Sequence, residues 1–367
     1  MDSPSSLPAL VAWLAFALAF VFGAAAQRCN FCTMGAITDV VNFGEWRRMR
    51  MWLLAIAVAI LGANALWAAG QIDLSKSLYV SNNLIWLAHL AGGLLFGFGM
   101  TLASGCGSRT LIRLGAGNLK SLIVIVFLAL AAYMTLRGAL ALLRVNVFEA
   151  VRWDLGRAQD LPTLLGGLGL AGPLRWLVPA VIGVALLIFV FKDREFRATP
   201  EYVIGGLVVG AVIVAGWYVS AHIGHLAEDP NTLQEAFVAT NSGRPESYSF
   251  VAPAAYLLEL LIFWTDKSKI MTFGVAGVLG MTAGAAAMAL ATKTFRWEGF
   301  NDTEDLVNHV VGGLLMGFGG VLALGCTIGQ GLTGISTLAV GSILSFFAIV
   351  GGSVAAVKYQ EWRIERM

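Results

Sequence analysis

Charge is what this sequence has least of. Only 13% of its 367 residues are Asp, Glu, Lys or Arg, about half the roughly 25% found in soluble domains. With 58% hydrophobic residues and a mean hydropathy of +0.77, the chain reads as a multi-pass membrane protein. A net charge of +2 is too small to grip nucleic acid. Cysteine is also scarce: Cys29, Cys32, Cys106 and Cys326 are the whole set, which argues against a disulfide framework. His89 and His309 have no second ligand at a metal-binding spacing, so no metal is expected, and both belong at the membrane interface where their helices begin. No basic stretch precedes the first apolar run, 7–26, so that run is a retained span and not a cleaved signal peptide. Buried acids are missing from the neighbourhood of the thiols, and the apolar spans hold few carboxylates, Glu259 in a short segment being one. Passage without a proton or sodium site is therefore expected.

What the chain does have is a repeat. His89 to Thr110, HLAGGLLFGFGMTLASGCGSRT, is written again from His309 as HVVGGLLMGFGGVLALGCTIGQG. An offset of 220 lays Gly97-Phe98-Gly99 on Gly317-Phe318-Gly319 and Gly105-Cys106 on Gly325-Cys326. NFCTMGA at 30–36 matches SFVAPAA at 249–255 in the same way, at an offset of 219. Cys32 then stands where the second copy has Val251.

Runs of about 20 apolar residues place nine spans near 7–26, 51–69, 84–105, 119–143, 173–191, 201–221, 270–291, 305–325 and 338–357. Between them, 31–43, 107–117, 250–264 and 327–337 are too short to cross and too apolar for loops. They read as re-entrant or broken helices, which survive at membrane depth only when buried or lining a cavity. The expected fold is all-α with two inverted repeats, 1–143 and 200–367, joined by 144–199, a loop with one extra span. The odd number of crossings between the halves turns one upside-down relative to the other. Fifteen Lys and Arg fall on the links of one face and seven on the other. The first face should be cytoplasmic, with the N-terminus periplasmic and the C-terminus cytoplasmic. The polar excursions 144–172 and 222–249 fall on the outer face, with no soluble domain in either.

Gly-Cys turns followed by a short helix are suited to anions. Glycines let successive N–H groups converge, and a helix N-terminus adds positive potential. The expected binding residues are Cys32, Cys106, Cys326, Arg109, Gly105, Gly107, Gly325, Thr327 and Gln330. A thiol at the tip matches a soft sulfur or selenium atom better than a hydroxyl does. Two plainer readings compete: glycines permit close helix packing, and Arg109 with Arg113 sits among lipid headgroups. Cys29 completes a C-x-x-C with Cys32, but without a βαβ setting it is taken as incidental.

CNFCTMGA, ASGCGSRTLIRLGAG and LGCTIGQGLTG resemble the YeeE/YedE sulfur-transport family of bacterial inner membranes, over essentially the whole chain. The resemblance implies uptake of thiosulfate along Cys32, Cys106 and Cys326 through S–H contacts, with the lipid bilayer as surroundings and without a cofactor. Some members are linked with selenium metabolism, and others work with a small cytoplasmic sulfur carrier of the TusA type. The fused forms carry that partner on the chain, and none is expected after Met367. A membrane sulfurtransferase holding a cysteine persulfide, and an interaction subunit whose thiols merely pack, are the alternatives.

Overall fold

The computed structural model describes residues 6–166, 171–230, 232–300 and 302–366. The expectations attached to residues 1–5 and to Met367 lie outside the described residues. The chain is almost entirely helical. In order, the helices are α1 (Ser6–Arg28), α2 (Thr33–Phe43), α3 (Arg47–Ala68), α4 (Trp86–Leu102), α5 (Gly107–Gly115), α6 (Leu119–Arg137), α7 (Leu140–Leu143) and α8 (Leu161–Gly166). They continue with α9 (Ala171–Phe191), α10 (Arg194–Arg197), α11 (Pro200–Tyr218), α12 (Ala252–Ile262), α13 (Phe273–Ala291), α14 (Thr303–Leu322) and α15 (Val340–Ile364). Two antiparallel ribbons of two residues a strand are the named strands: Asn83–Leu84 with Trp153–Asp154, and His225–Leu226 with Ala236–Phe237.

Among the described residues, eight helical stretches are long and apolar enough to cross a membrane. The ninth expected span, 173–191, falls on α9, a 21-residue helix with Pro179 inside; its apolar stretch Arg175–Phe191 is shorter than those eight. Local chemistry sets the ends. Asn118 caps α6 through the Ser121 amide at 2.9 Å, and Asp302 caps α14 through the Asp305 amide at 2.7 Å; each satisfies an N–H that the helix itself cannot.

Several expected boundaries are corrected. The span drawn over 84–105 stops at Leu102, and the one over 119–143 stops at Arg137, where Gly138 interrupts it before α7. The last helix runs on to Ile364, past the expected 357. The short piece at 327–337 contains a π-helical stretch, Gly329–Gly334.

The two copies pack reciprocally. α1 lies on α13 and α3 on α11; α4 lies on α15 and α6 on α14; α4 and α14 cross each other. Glycine makes that central crossing close. A Cβ added at Gly312 would meet the Gly99 carbonyl oxygen at 2.6 Å, and one at Gly319 would meet the Gly92 carbonyl oxygen at 2.6 Å. Where no hydrophobic drive separates protein from lipid, such backbone contact is a main source of helix association. The crossing brings the C-terminal ends of α4 and α14, and hence both Gly-Cys turns, into one core.

Candidate functional site

Each Gly-Cys turn begins where a helix is forced to stop. Ser104 and Leu324 adopt left-handed backbone, φ 56° and 57°. The Gly105 amide donates back to the Met100 carbonyl at 2.8 Å, and the Gly325 amide to the Gly320 carbonyl at 2.8 Å. This is the six-to-one closure of a Schellman motif, which reverses the chain and delivers the next residue to the start of a new helix.

Cys106 is that residue in the first copy. It is the N-cap of α5, fully buried, with Sγ 3.3 Å from the Ser108 hydroxyl. Its carbonyl accepts from the Thr110 amide and hydroxyl at 2.8 and 2.9 Å. Cys326 is equally buried; the Gly329 amide donates to its Sγ at 3.4 Å, and its carbonyl accepts from the Gln330 amide at 2.7 Å. Cys32 caps α2, accepting from the Gly35 amide at 3.3 Å, and is 5% exposed. Three thiols thus sit at three half-helix starts. Cys106 lies within electrostatic reach of both Cys32 and Cys326, so the fold gathers all three.

The surrounding residues divide by what they touch. Gly105 rests on the stem of Arg109, and Gly107 faces Leu128 and Phe250. Arg109 donates to the Asn30 side-chain oxygen at 3.3 Å, tying α5 to the entry of α2. Its other terminal nitrogen, Nη1, is buried with no hydrogen-bond partner among the described residues. Arg109 also acts electrostatically on Cys32. Arg113 donates to the Ser104 carbonyl at 3.0 Å and holds the first turn closed. In the second turn Gln330 donates its amide to the Ala323 carbonyl, while its Oε1 and the Thr327 hydroxyl are buried and unpaired among the described residues. Gly325 packs against Gln330. Unpaired buried polar atoms of this kind cost free energy and are suited to a polar ligand.

Cys29 is buried with its Sγ against Gly205 of α11, and Arg109 reaches it electrostatically as it does Cys32. All four thiols are free. His89 and His309, expected at the membrane interface where their helices begin, are buried inside the bundle, 2% and 4% exposed. His89 Nδ1 is 2.7 Å from the Ser345 hydroxyl, and His309 Nδ1 bonds the Asp305 carbonyl at 2.7 Å. Both are buried because α15 and the first turn of α14 supply polar partners inside the bundle.

Two cavities approach the thiols. One, of about 340 Å³, is lined by Arg109, Arg113, Lys293 and Arg296 with Glu298, on the face whose links are rich in basic residues. The other, of about 130 Å³, runs from Tyr79, Ser247 and Glu246 to Leu324 and Gly325, beside Cys326. An acid, Glu246, lines this second cavity together with Gly325. Glu246 was not legible because it belongs to a long polar loop whose return path leaves no trace in hydropathy. Burial pushes its carboxyl up to about 7.

Residues 28–355 match the protein-family model described as sulphur transport. The chain is similar to proteins named thiosulfate transporter TsuA. One, from Escherichia coli strain K12, is 27% identical over 321 residues, 85% of this chain and 84% of the relative. Another, from Spirochaeta thermophila, is 27% identical over 350 residues, 92% and 96% of the two chains.

Proposed function

This multi-pass membrane protein belongs to the sulphur transport family, and we propose that it carries thiosulfate inward across the bacterial inner membrane along Cys326, Cys106 and Cys32 in that order. In this reading the N-terminus is periplasmic, the C-terminus is cytoplasmic, and the two repeats are inverted. The observation that carries it is that three thiols stand at three half-helix starts, with Cys106 in electrostatic reach of the other two and a cavity beside each Gly-Cys turn. The relatives' names supply the substrate.

Charge balance supports a dianion. The N-termini of α2 and α5 each offer roughly half a positive charge, and Arg109 adds a full one near Cys32. Together they come to about two, matching thiosulfate. The thiols donate weakly through S–H and contact the terminal sulfur softly. Weak, successive sites let an ion leave as readily as it enters. Thr327 Oγ1 and the Arg109 Nη1 group supply hydrogen bonds to the sulfonate end.

The thiols act without turning over covalently, so the protein is a transporter and not an enzyme in this reading. A TusA-type carrier is the proposed recipient on the cytoplasmic side, where four cations ring the basic cavity. The test is uptake of radiolabelled thiosulfate by cells that lack other routes for it, followed by intact-protein mass spectrometry. Uptake with unmodified cysteines is the expected result. A sulfur adduct of about 32 Da on one cysteine would instead mark a sulfurtransferase.

A further inference from the structure

Among the described residues, Glu246 is the one acidic group lining the outer cavity, and the path along the thiols does not use it. It sits in the loop that returns from the His225–Leu226 ribbon, held by its backbone: its amide donates to the Ser220 hydroxyl at 3.1 Å, and its carbonyl accepts from the same hydroxyl. The side chain accepts from the Ser242 hydroxyl at 3.2 Å. The residue is half-buried and lines the narrow cavity.

The neighbours matter because a carboxylate here would stand in the way of an anion. Among the described residues, Glu246 is the only charged side chain lining this cavity. From the 74–84 segment Tyr79 faces it, and from α12 Tyr256 does; both feel its charge. Arg137, Arg144 and Glu259 also act on Tyr256, but Glu259 already holds Arg137 and Lys269 at 2.9 and 2.6 Å, and Arg144 holds Glu149 at 2.5 Å. His222, on the stretch that carries Ser220, turns away to the Gln71 carbonyl at 2.9 Å. Lys76 and His225 are occupied with Glu235 at 2.5 and 2.7 Å. The α14 wall contributes Gly320 and Val321, and Leu324 and Gly325 follow it, none of them charged. Among the described residues, no cation forms an ion pair with Glu246.

We propose that Glu246 is a proton-dependent entry site: a divalent sulfur anion passes the outer cavity to Cys326 only when the Glu246 carboxyl carries a proton. Ionised, it repels a dianion in a confined, poorly screened space, where like charges cost far more than in water. Protonated, it becomes a hydrogen-bond donor to the anion's oxygens. Burial without a partner cation is what keeps the proton on near neutral pH, and the raised affinity, to about 7, agrees. An anion bound beside it raises that affinity further, so anion entry and protonation favour each other.

The inference rests on the reading of the protein as a thiosulfate carrier, and two measurements separate the failures. Uptake of labelled thiosulfate is followed from about pH 5.5 to about pH 8.5 for the parent and for Glu246→Gln, which keeps the size and the Ser242 contact. The parent should lose roughly fivefold between about pH 7 and about pH 8, as the neutral fraction falls. Glu246→Gln should be flat across the range and faster than the parent at about pH 8. A Gln variant that keeps the parent's profile overturns the proposal and leaves the carrier reading intact. A parent that moves no thiosulfate at any pH overturns the carrier reading. Infrared difference spectra of the purified protein then still decide the entry site: a protonated-carboxyl band must vanish near pH 7 in the parent and be missing in Glu246→Gln. Absence of that band in the parent overturns it.

Discussion

Ser104 and Leu324, 220 positions apart, hold the same left-handed backbone, φ 56° and 57°, one residue before Gly105 and Gly325. An ordinary side chain in that conformation costs about 1 kcal/mol. The cost is met twice, at matching positions, because the reversal must be tight enough to seat a cysteine at the next helix start. The pair therefore links backbone geometry to chemistry: without the reversal, Cys106 and Cys326 would continue α4 and α14 and face lipid or a neighbouring helix.

The thiols give the most direct prediction. Cys32→Ala, Cys106→Ala and Cys326→Ala should each lower thiosulfate uptake about tenfold or more, the order expected for losing a hydrogen bond to a charged group. Stability should fall by no more than about 1–2 kcal/mol, since little volume is removed. Ser should restore part of the activity. Cys29→Ala, which removes a thiol packed against Gly205, should transport within about twofold of the parent. Growth on thiosulfate as sole sulfur source, with expression matched by blot, measures all of these. Parent-like growth of both Cys106→Ala and Cys326→Ala would show the thiols to be packing.

The helix seam predicts a structural failure distinct from a transport failure. A Cβ at Gly97 would lie 2.0 Å from the Ile349 carbonyl oxygen, and one at Gly317 would lie 2.3 Å from that of Leu128. Gly97→Val and Gly317→Val must push α15 or α6 away, at a cost of about 3 kcal/mol or more. Both should yield little monodisperse protein in detergent chromatography. Recovery of either at parental yield would contradict the packing described.

Arg109 should act on binding and hardly on folding. Its removal leaves the α2–α5 link to Asn30 and one full positive charge missing beside Cys32. Arg109→Gln should raise the KM for thiosulfate about tenfold, in line with the loss of one charge-assisted hydrogen bond, and the loss should shrink at high salt. An unchanged KM would return Arg109 to the lipid headgroups.

Topology is open to a simple measurement. Reporter fusions at Glu149 and at Met367 should report opposite compartments, the first periplasmic and the second cytoplasmic. Both on one side would break the inverted arrangement of the two halves.

Hydropathy and the repeat made the helical architecture legible without any structure, because the membrane imposes a local rule: every span must satisfy its own backbone and present apolar side chains over about 20 residues. The short pieces at 31–43 and 107–117 emerged as α2 and α5 for the same reason, being too apolar for loops and too short to cross. The offset of 220 singled out Cys106 and Cys326, since the same turn requires the same residues. What the tertiary structure alone decided depends on contacts between distant segments. Cys29 and Cys32 are three residues apart, yet one packs on Gly205 and the other caps α2, a difference made by α11 closing over α1 and α3. His89 is buried because Ser345, 256 positions away, offers it a hydroxyl. Glu246 reaches the mouth beside Cys326 because Ser220 pins its backbone there. A polar loop obeys no periodicity that could announce where it returns, so only the folded chain brings that carboxyl to the thiols.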